Sequence, residues 1–401
     1  MVANQASAAQ VLQDAQDFSL VQGGPLFQLL RRAHLGDDTL LLLRRRIIVI
    51  SLLAWLPLLV LSARQGELLS KHVALAFLPD VETHIRFLIV VPLLLIAEYV
   101  VHQRLLPLAR AFLERNLIPD DAMPRFDAAI RSAYRWRNSV FAELLLLTIV
   151  YAVGILIVWR QHVALRADTW YVASDGSQAL SLAGMWYACV SLPAFQFLLL
   201  RWYYRLLIWT RFLWQVSRVR LNLVPTHPDL LGGLGLLTNT VYAFTVLLVA
   251  HGAMVAGQIT NRVLLLGASL PDFKLEVATL LLFLSAVILG PLLLFSPQLA
   301  RCKRSGLLEY GTFAEGYVRQ FDRKWLRGGV GADEALLGSG DIQSLADLSN
   351  SFAVVRGMRL APVTKYTLLQ FGIAVLAPIA PLLLTMMPLE TLLNKLLGLV
   401  V

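Results

Sequence analysis

The 401-residue chain is 57% hydrophobic and only 15% charged, with a mean hydropathy of +0.66. That is too apolar for an ordinary soluble protein, and the chain lacks the composition of a disordered one. Its formal charge of +9 would suggest nucleic acid in a soluble protein, but a helical membrane protein collects such an excess in cytoplasmic loops beside anionic lipid. Composition therefore implies an all-α polytopic membrane protein with the bilayer and anionic headgroups as partners, and no nucleic acid.

The first twenty residues, "MVANQASAAQVLQDAQDFSL", have neither a basic n-region nor an apolar h-region, so no cleavable signal peptide is expected. Within an N-terminal tail over 1–46, "PLFQLLRRAHL" sets Leu26, Phe27, Leu29 and Leu30 before Arg31 and Arg32, the pattern of an interfacial helix. A bilayer core takes about 20 apolar residues to cross. Windows of that kind fall at 47–63, 85–101, 140–159, 180–200, 239–258, 275–296 and 367–387, which predicts seven spans in one transmembrane domain over 47–401. Pro378 and Pro381 make the last window a re-entrant segment as the alternative, with six full spans.

Arginines and lysines crowd the N-terminal flank and the connections 102–139, 201–238 and 297–366, while stretches such as "WRQHVALRADTWYVASDGSQ" carry few. By the positive-inside rule those connections and the N-terminus are cytoplasmic, as expected in a bacterial inner membrane. Past the sixth window Tyr310, Phe313, Tyr317, Phe321 and Trp325 recur at helical spacing and read as packing against a neighbouring helix. Residues 341–356 form a second amphipathic stretch, and "LRGGVGADEALLGSG" links the two. Cys189 and Cys302 show no metal or disulfide spacing, so neither a metal nor a cofactor is expected.

Ionisable residues inside spans are expensive and point to function by default. Glu98 near the end of the second window, Glu143 at the start of the third, and Arg201 and Arg205 past the fourth fall at similar depth. They read either as a charge clamp fixing helix register or as a polar vestibule open to the cytosol. His251 lies about 18 Å into the fifth span at 1.5 Å per residue, with Gln258 on the same face and Gln196 at similar depth as a partner. It reads as a packed, hydrogen-bonded histidine or as a proton relay or pore-lining group. Gly252, Ala253, Ala256 and Gly257 supply small-residue pairs for close helix approach.

Between the fourth and fifth windows, "LVPTHPDLLGGLGLL" sets a polar island. Thr226 and Asp229 have the spacing of a capping box, with Pro228 in the first turn. That reading leaves His227, Gly232, Gly233 and Gly235 without a role. A glycine-rich backbone beside Arg218 and Arg220 could instead form an anion nest for a phosphate or a lipid headgroup. No Walker-type lysine follows, and "HPD" here lies between spans, outside any J-domain-like hairpin.

Three stretches, "MWYACVSLPAFQFLLLRWYYRLLIWTRFLW", "LVPTHPDLLGGLG" and "GDIQSLADLSNSFAVVRGMRL", resemble a family of uncharacterised bacterial polytopic membrane proteins. In that family a P-T-H-P-D-x-x-G-G-L-G loop follows an Arg- and Trp-rich helix. The resemblance implies a cytoplasmic-membrane protein and carries no activity; Leu230 stands where the loop pattern calls for a basic residue.

Two functional classes fit. A channel or transporter for a small solute or ion accounts for the many spans and the intramembrane polar residues. A membrane enzyme or binding protein for a phosphorylated or lipid-linked substrate accounts better for the island. A scaffold or sensor is the third reading, and self-association stays open. No Ser-His-Asp order, HExxH or nucleophile elbow supports enzymology.

Overall fold

Apolar runs this long satisfy every backbone group internally by forming helices, and prolines and glycines decide where those helices bend or stop. The computed structural model describes residues 18–25, 28, 40–70, 73, 75–164, 169–172, 180–329 and 339–385. Among these the chain is all-α, with two isolated β-bridges and no strand. We label the helices α1 Leu40–Arg64, α2 Val81–Glu114, α3 Met123–Arg137, α4 Val140–Ala164, α5 Leu182–Ser217, α6 Asn239–Leu266, α7 Lys274–Ile288, α8 Ser296–Phe321, α9 Gly340–Gly357 and α10 Lys365–Leu376.

Four helices, α1, α2, α5 and α6, are long and apolar enough to cross a membrane, and α7 with α8 makes a fifth candidate bent by 41°. Helix α4, 25 residues long, adds a shorter apolar stretch over Val140–Ala152. The best window of α6 is 67% buried against 28% for α1, so α6 is the central helix and α1 a peripheral one. The second and fourth windows prove too short: α2 runs 34 residues and α5 36. Their extensions keep a buried stripe (Leu105, Leu108, Phe112; Leu206, Trp209, Phe212) while arginines on other faces lower the average hydropathy.

The sixth window, 275–296, does not form one straight span. It breaks after Ile288, and Gly290–Phe295 forms a 3₁₀ segment around Pro291. At the C-terminal end the continuous helix expected over 367–387 is not formed among the described residues. Helix α10 is 12 residues long, about 18 Å, and gives way to turns at Pro378 and a 3₁₀ segment Ala380–Thr385. Apart from Gln28, the expected interfacial helix at 26–32 lies outside the described residues, as does most of the glycine-rich linker.

Helices α2 and α5 share a device. Arg86–Val90 and Tyr187–Ser191 are wide π turns, each followed by a proline, Pro92 and Pro193, six residues after the turn begins. A proline donates no N–H and crowds the carbonyl four residues back, and widening the preceding turn relieves that crowding. The carbonyl of Cys189, four before Pro193, accepts the Tyr151 hydroxyl of α4 at 3.4 Å.

Part of the expected N-terminal tail is core. Phe18 is fully buried, 4.9 Å from the Phe212 ring and 6.4 Å from Trp209. The Arg137 guanidinium donates to the carbonyl of Ser19 at 2.8 Å. The small-residue stripe of α6 does allow close approach: a Cβ on Gly252 would collide with the backbone carbonyl of Val375 in α10. We expect Gly252→Ala to cost about 1 to 3 kcal/mol through overpacking, read as a lowered unfolding temperature in detergent. An unchanged temperature would mean that α10 moves aside freely.

The aromatic stripe of α8 faces α9 in part. The Tyr317 hydroxyl donates to the carbonyl of Asp341 at 3.1 Å and the Trp325 indole to the Asp341 carboxylate at 2.9 Å, whereas Phe313 stays exposed.

Candidate functional site

The intramembrane charges converge. Glu98 on α2 accepts from Arg205 at 2.7 Å and Arg201 at 3.4 Å on one carboxylate oxygen and from Arg46 of α1 on the other. Arg201 also reaches Glu143 of α4 at 3.4 Å. All five side chains are buried, and four helices meet on them. Glu98 and Arg201 stand at mid-length of their helices rather than near an end, because both helices overshoot the predicted windows. Arg46 was hidden from sequence reasoning among the arginines that set orientation. Gly24 lies over the cluster, where a Cβ would come within 3.1 Å of the Glu143 carboxylate. Four buried ion pairs across α1, α2, α4 and α5 give the arrangement of the clamp reading.

His251 is 2% exposed and fully satisfied. Its Nδ1 lies 2.7 Å from the carbonyl of Leu247, and its Nε2 lies 2.7 Å from the hydroxyl of Tyr203. Nδ1–H therefore donates to the carbonyl, and Nε2 is left to pair with the Tyr203 hydroxyl. The partner is Tyr203 on α5, about two turns past Gln196. Both ring nitrogens are thus engaged, as the hydrogen-bonded reading expects.

The island is a bend that carries its own anion. No helix starts at Thr226, so the capping box is not formed; residues 225–233 are turns, and regular structure resumes as a 3₁₀ segment at Leu234. Asp229 fills the nest expected for an external anion. Its carboxylate accepts from the N–H groups of Leu231 (2.8 Å), Gly233 (3.2 Å) and Gly235 (2.8 Å), with His227 Nδ1 at 2.8 Å. Burial pushes this carboxyl up, but those N–H groups and His227 hold it below the ordinary aspartate value. Gly233 takes φ +101°, and a Cβ on Gly235 would sit 2.8 Å from the carboxylate, which accounts for both glycines.

Thr226 meets the Tyr310 hydroxyl at 3.5 Å, and the carbonyl of Leu230 accepts the Arg359 N–H at 2.7 Å. A Cβ on Gly232 would lie 3.2 Å from the Met358 side chain. The loop thus ties α8 and the end of α9 to the bundle. Arg218 and Arg220 take no part in it and line a separate groove.

At the opposite end of the bundle lies a polar cavity of about 320 Å³ that sequence reasoning missed, apart from Gln196 and Gln258. Its walls come from the paired π turns. Arg86 pairs with Glu82 and donates to the Tyr187 hydroxyl, so the first residues of the two π turns meet directly. Asp80 accepts from Asn261 at 2.8 Å, from Trp170 at 3.0 Å and from Thr83, closing one wall. Two buried atoms at the cavity lack partners, Gln196 Oε1 and Arg86 Nε. Along α2 and α5, buried Val91, Leu94, Leu198 and Trp202 follow the cavity residues in the direction of the charge cluster.

No family model, curated protein or solved structure matches the chain. The site therefore has to be read from its own chemistry. Among the described residues no three His, Cys, Asp or Glu side chains gather as a metal site. The cavity gathers the Arg86 guanidinium, the carboxylates of Asp80 and Glu82, the amides of Gln196, Gln258 and Asn261 and the hydroxyls of Tyr171 and Tyr187 within one small volume, a lining rich in hydrogen-bonding groups.

Proposed function

We propose that the protein is an integral membrane transporter of a small polar solute, with the cavity at the paired π turns as its solute site. The observation that carries this reading is the placement of unpartnered Gln196 Oε1 and Arg86 Nε in a cavity built at two broken turns of long apolar helices. Backbone irregularity at membrane depth is tolerated where it lines such a cavity, and π turns concentrate at functional sites. The buried apolar layer and the ion-paired cluster beyond it act as the closed side of an alternating path.

The arginine-rich end is assigned to the cytoplasm of a bacterium by the positive-inside rule, in keeping with the resemblance carried by the island. Reporter fusions after Arg137, Asp229 and Arg323 should read cytoplasmic and those after Gly66 and Ser269 the opposite side. A periplasmic signal at Asp229 inverts the orientation.

The transport reading is tested by accessibility. In a background with Cys189 and Cys302 replaced by serine, Gln196→Cys should react with a charged thiol reagent added from the cavity side. It should also react, more slowly, with reagent confined to the arginine-rich side. Labelling from the cavity side alone would mark a closed receptor pocket and exclude transport through it.

A further inference from the structure

We infer that the protein holds an anionic phospholipid at its arginine-rich end, in a site distinct from the solute cavity. Two grooves meet there. The first, about 450 Å³, runs along the outside of the bundle between Tyr203, Leu206 and Leu207 of α5 and Phe283, Ala286 and Val287 of α7. It is almost wholly apolar and ends at Leu294. The second, about 940 Å³, begins at that same Leu294 and is lined by Trp214, Arg218, Arg220, Gln298 and Arg301. The junction is the broken turn Gly290–Phe295, whose proline holds α7 and α8 at an angle and leaves the gap between them and α5.

The chemistry of the second groove is unbalanced. Arg218, Arg220 and Arg301 line it against one carboxylate, Glu309, and none of the three guanidinium groups forms an ion pair with a described residue. Arg218 lies 5.6 Å over the ring of Trp214, itself 43% exposed, an aromatic and a cation placed as at a membrane interface. From Tyr203 to Trp214 helix α5 rises about 16 Å, the hydrocarbon depth of one leaflet, half of a core about 30 Å thick. An apolar gully one leaflet deep that opens into three unpaired arginines matches an acyl chain below and a phosphate above. A soluble phosphate ester would use the arginines and leave the gully without an occupant.

The test measures lipid affinity on delipidated protein in detergent, by native mass spectrometry with phosphatidylglycerol, phosphatidylcholine and glycerol phosphate. Phosphatidylglycerol should bind on the order of 100-fold more tightly than phosphatidylcholine, about five-fold per arginine. Glycerol phosphate should not compete at millimolar concentration. In the triple variant Arg218→Gln, Arg220→Gln, Arg301→Gln the preference should disappear. Ala286→Trp, which fills the gully from an exposed position, should weaken both lipids while the preference between them remains.

Should the triple variant fail to fold, Arg301→Gln alone should still lower the preference about five-fold. Equal affinity for the two lipids, competition by glycerol phosphate, or binding indifferent to Ala286→Trp would each overturn the assignment. None of these outcomes bears on labelling at Gln196.

Discussion

Replacing Glu98 by leucine should destabilise the protein by about 3 to 5 kcal/mol, because it removes the shared partner of three buried guanidinium groups. Arg46, Arg201 and Arg205 all converge on this one carboxylate, and after its loss Glu143 is the one counter-charge left to them among the described residues. Glu98→Gln keeps the shape and loses the charge, so it should fall nearly as far. Adding Arg46→Met and Arg205→Met to Glu98→Leu should recover part of the loss, since well-packed apolar residues often replace a buried ion pair without penalty. Unfolding in detergent, followed by a denaturant series, measures each variant. Strictly additive losses would show that the charges act independently and that no clamp exists.

Asp229→Ala should cost about 3 kcal/mol, well above the ~1 kcal/mol of an ordinary helix cap, because three N–H donors lose an ionised acceptor together. Asp229→Asn keeps one carbonyl oxygen and should lose less. The effect should also titrate. The folded carboxyl sits below its ordinary value, so its contribution is complete above the unfolded value near pH 4 and fades as pH falls through the folded one. Wild type and Asp229→Ala should therefore converge in stability under strong acid. Equal stability of the two at pH 7 would mean that the loop holds its shape without this carboxylate. His227→Ala removes only a half-exposed neighbour of Asp229 and should be mild.

Both expectations rest on residues that the sequence singled out, yet for different reasons. The depth match of Glu98, Glu143, Arg201 and Arg205 was legible because a helix converts residue number into height at a fixed rise. Arg46 was not, since an arginine just before an apolar run looks the same whether it anchors the interface or turns inward. The helix ends were misplaced where buried stripes continue among arginines, as at Leu105–Phe112, because a window average cannot separate faces. In the island, Asp, His and the glycines were legible as belonging together. That the anion would be Asp229 itself depended on positive φ at Leu230, Gly232 and Gly233, which turns the chain back on its own carboxylate. The solute cavity was the least visible. Asp80, Glu82 and Arg86 fall at the edge of the second window and Asn261 just past the fifth, 181 residues after Asp80. The one local signal was the repeated six-residue interval from Arg86 to Pro92 and from Tyr187 to Pro193.

The seating of Phe18 has a consequence for how the chain is made. Its pocket is built from Tyr134 of α3 and Trp209 and Phe212 of α5, so the segment leaves the ribosome about 190 residues before its receptor is finished, a delay of roughly 10 to 40 s at ordinary synthesis rates. During that interval an aromatic side chain destined for the core has nothing of its own to bind. A bulky fusion joined directly before Phe18 would therefore interfere with the docking of this segment against α3 and α5.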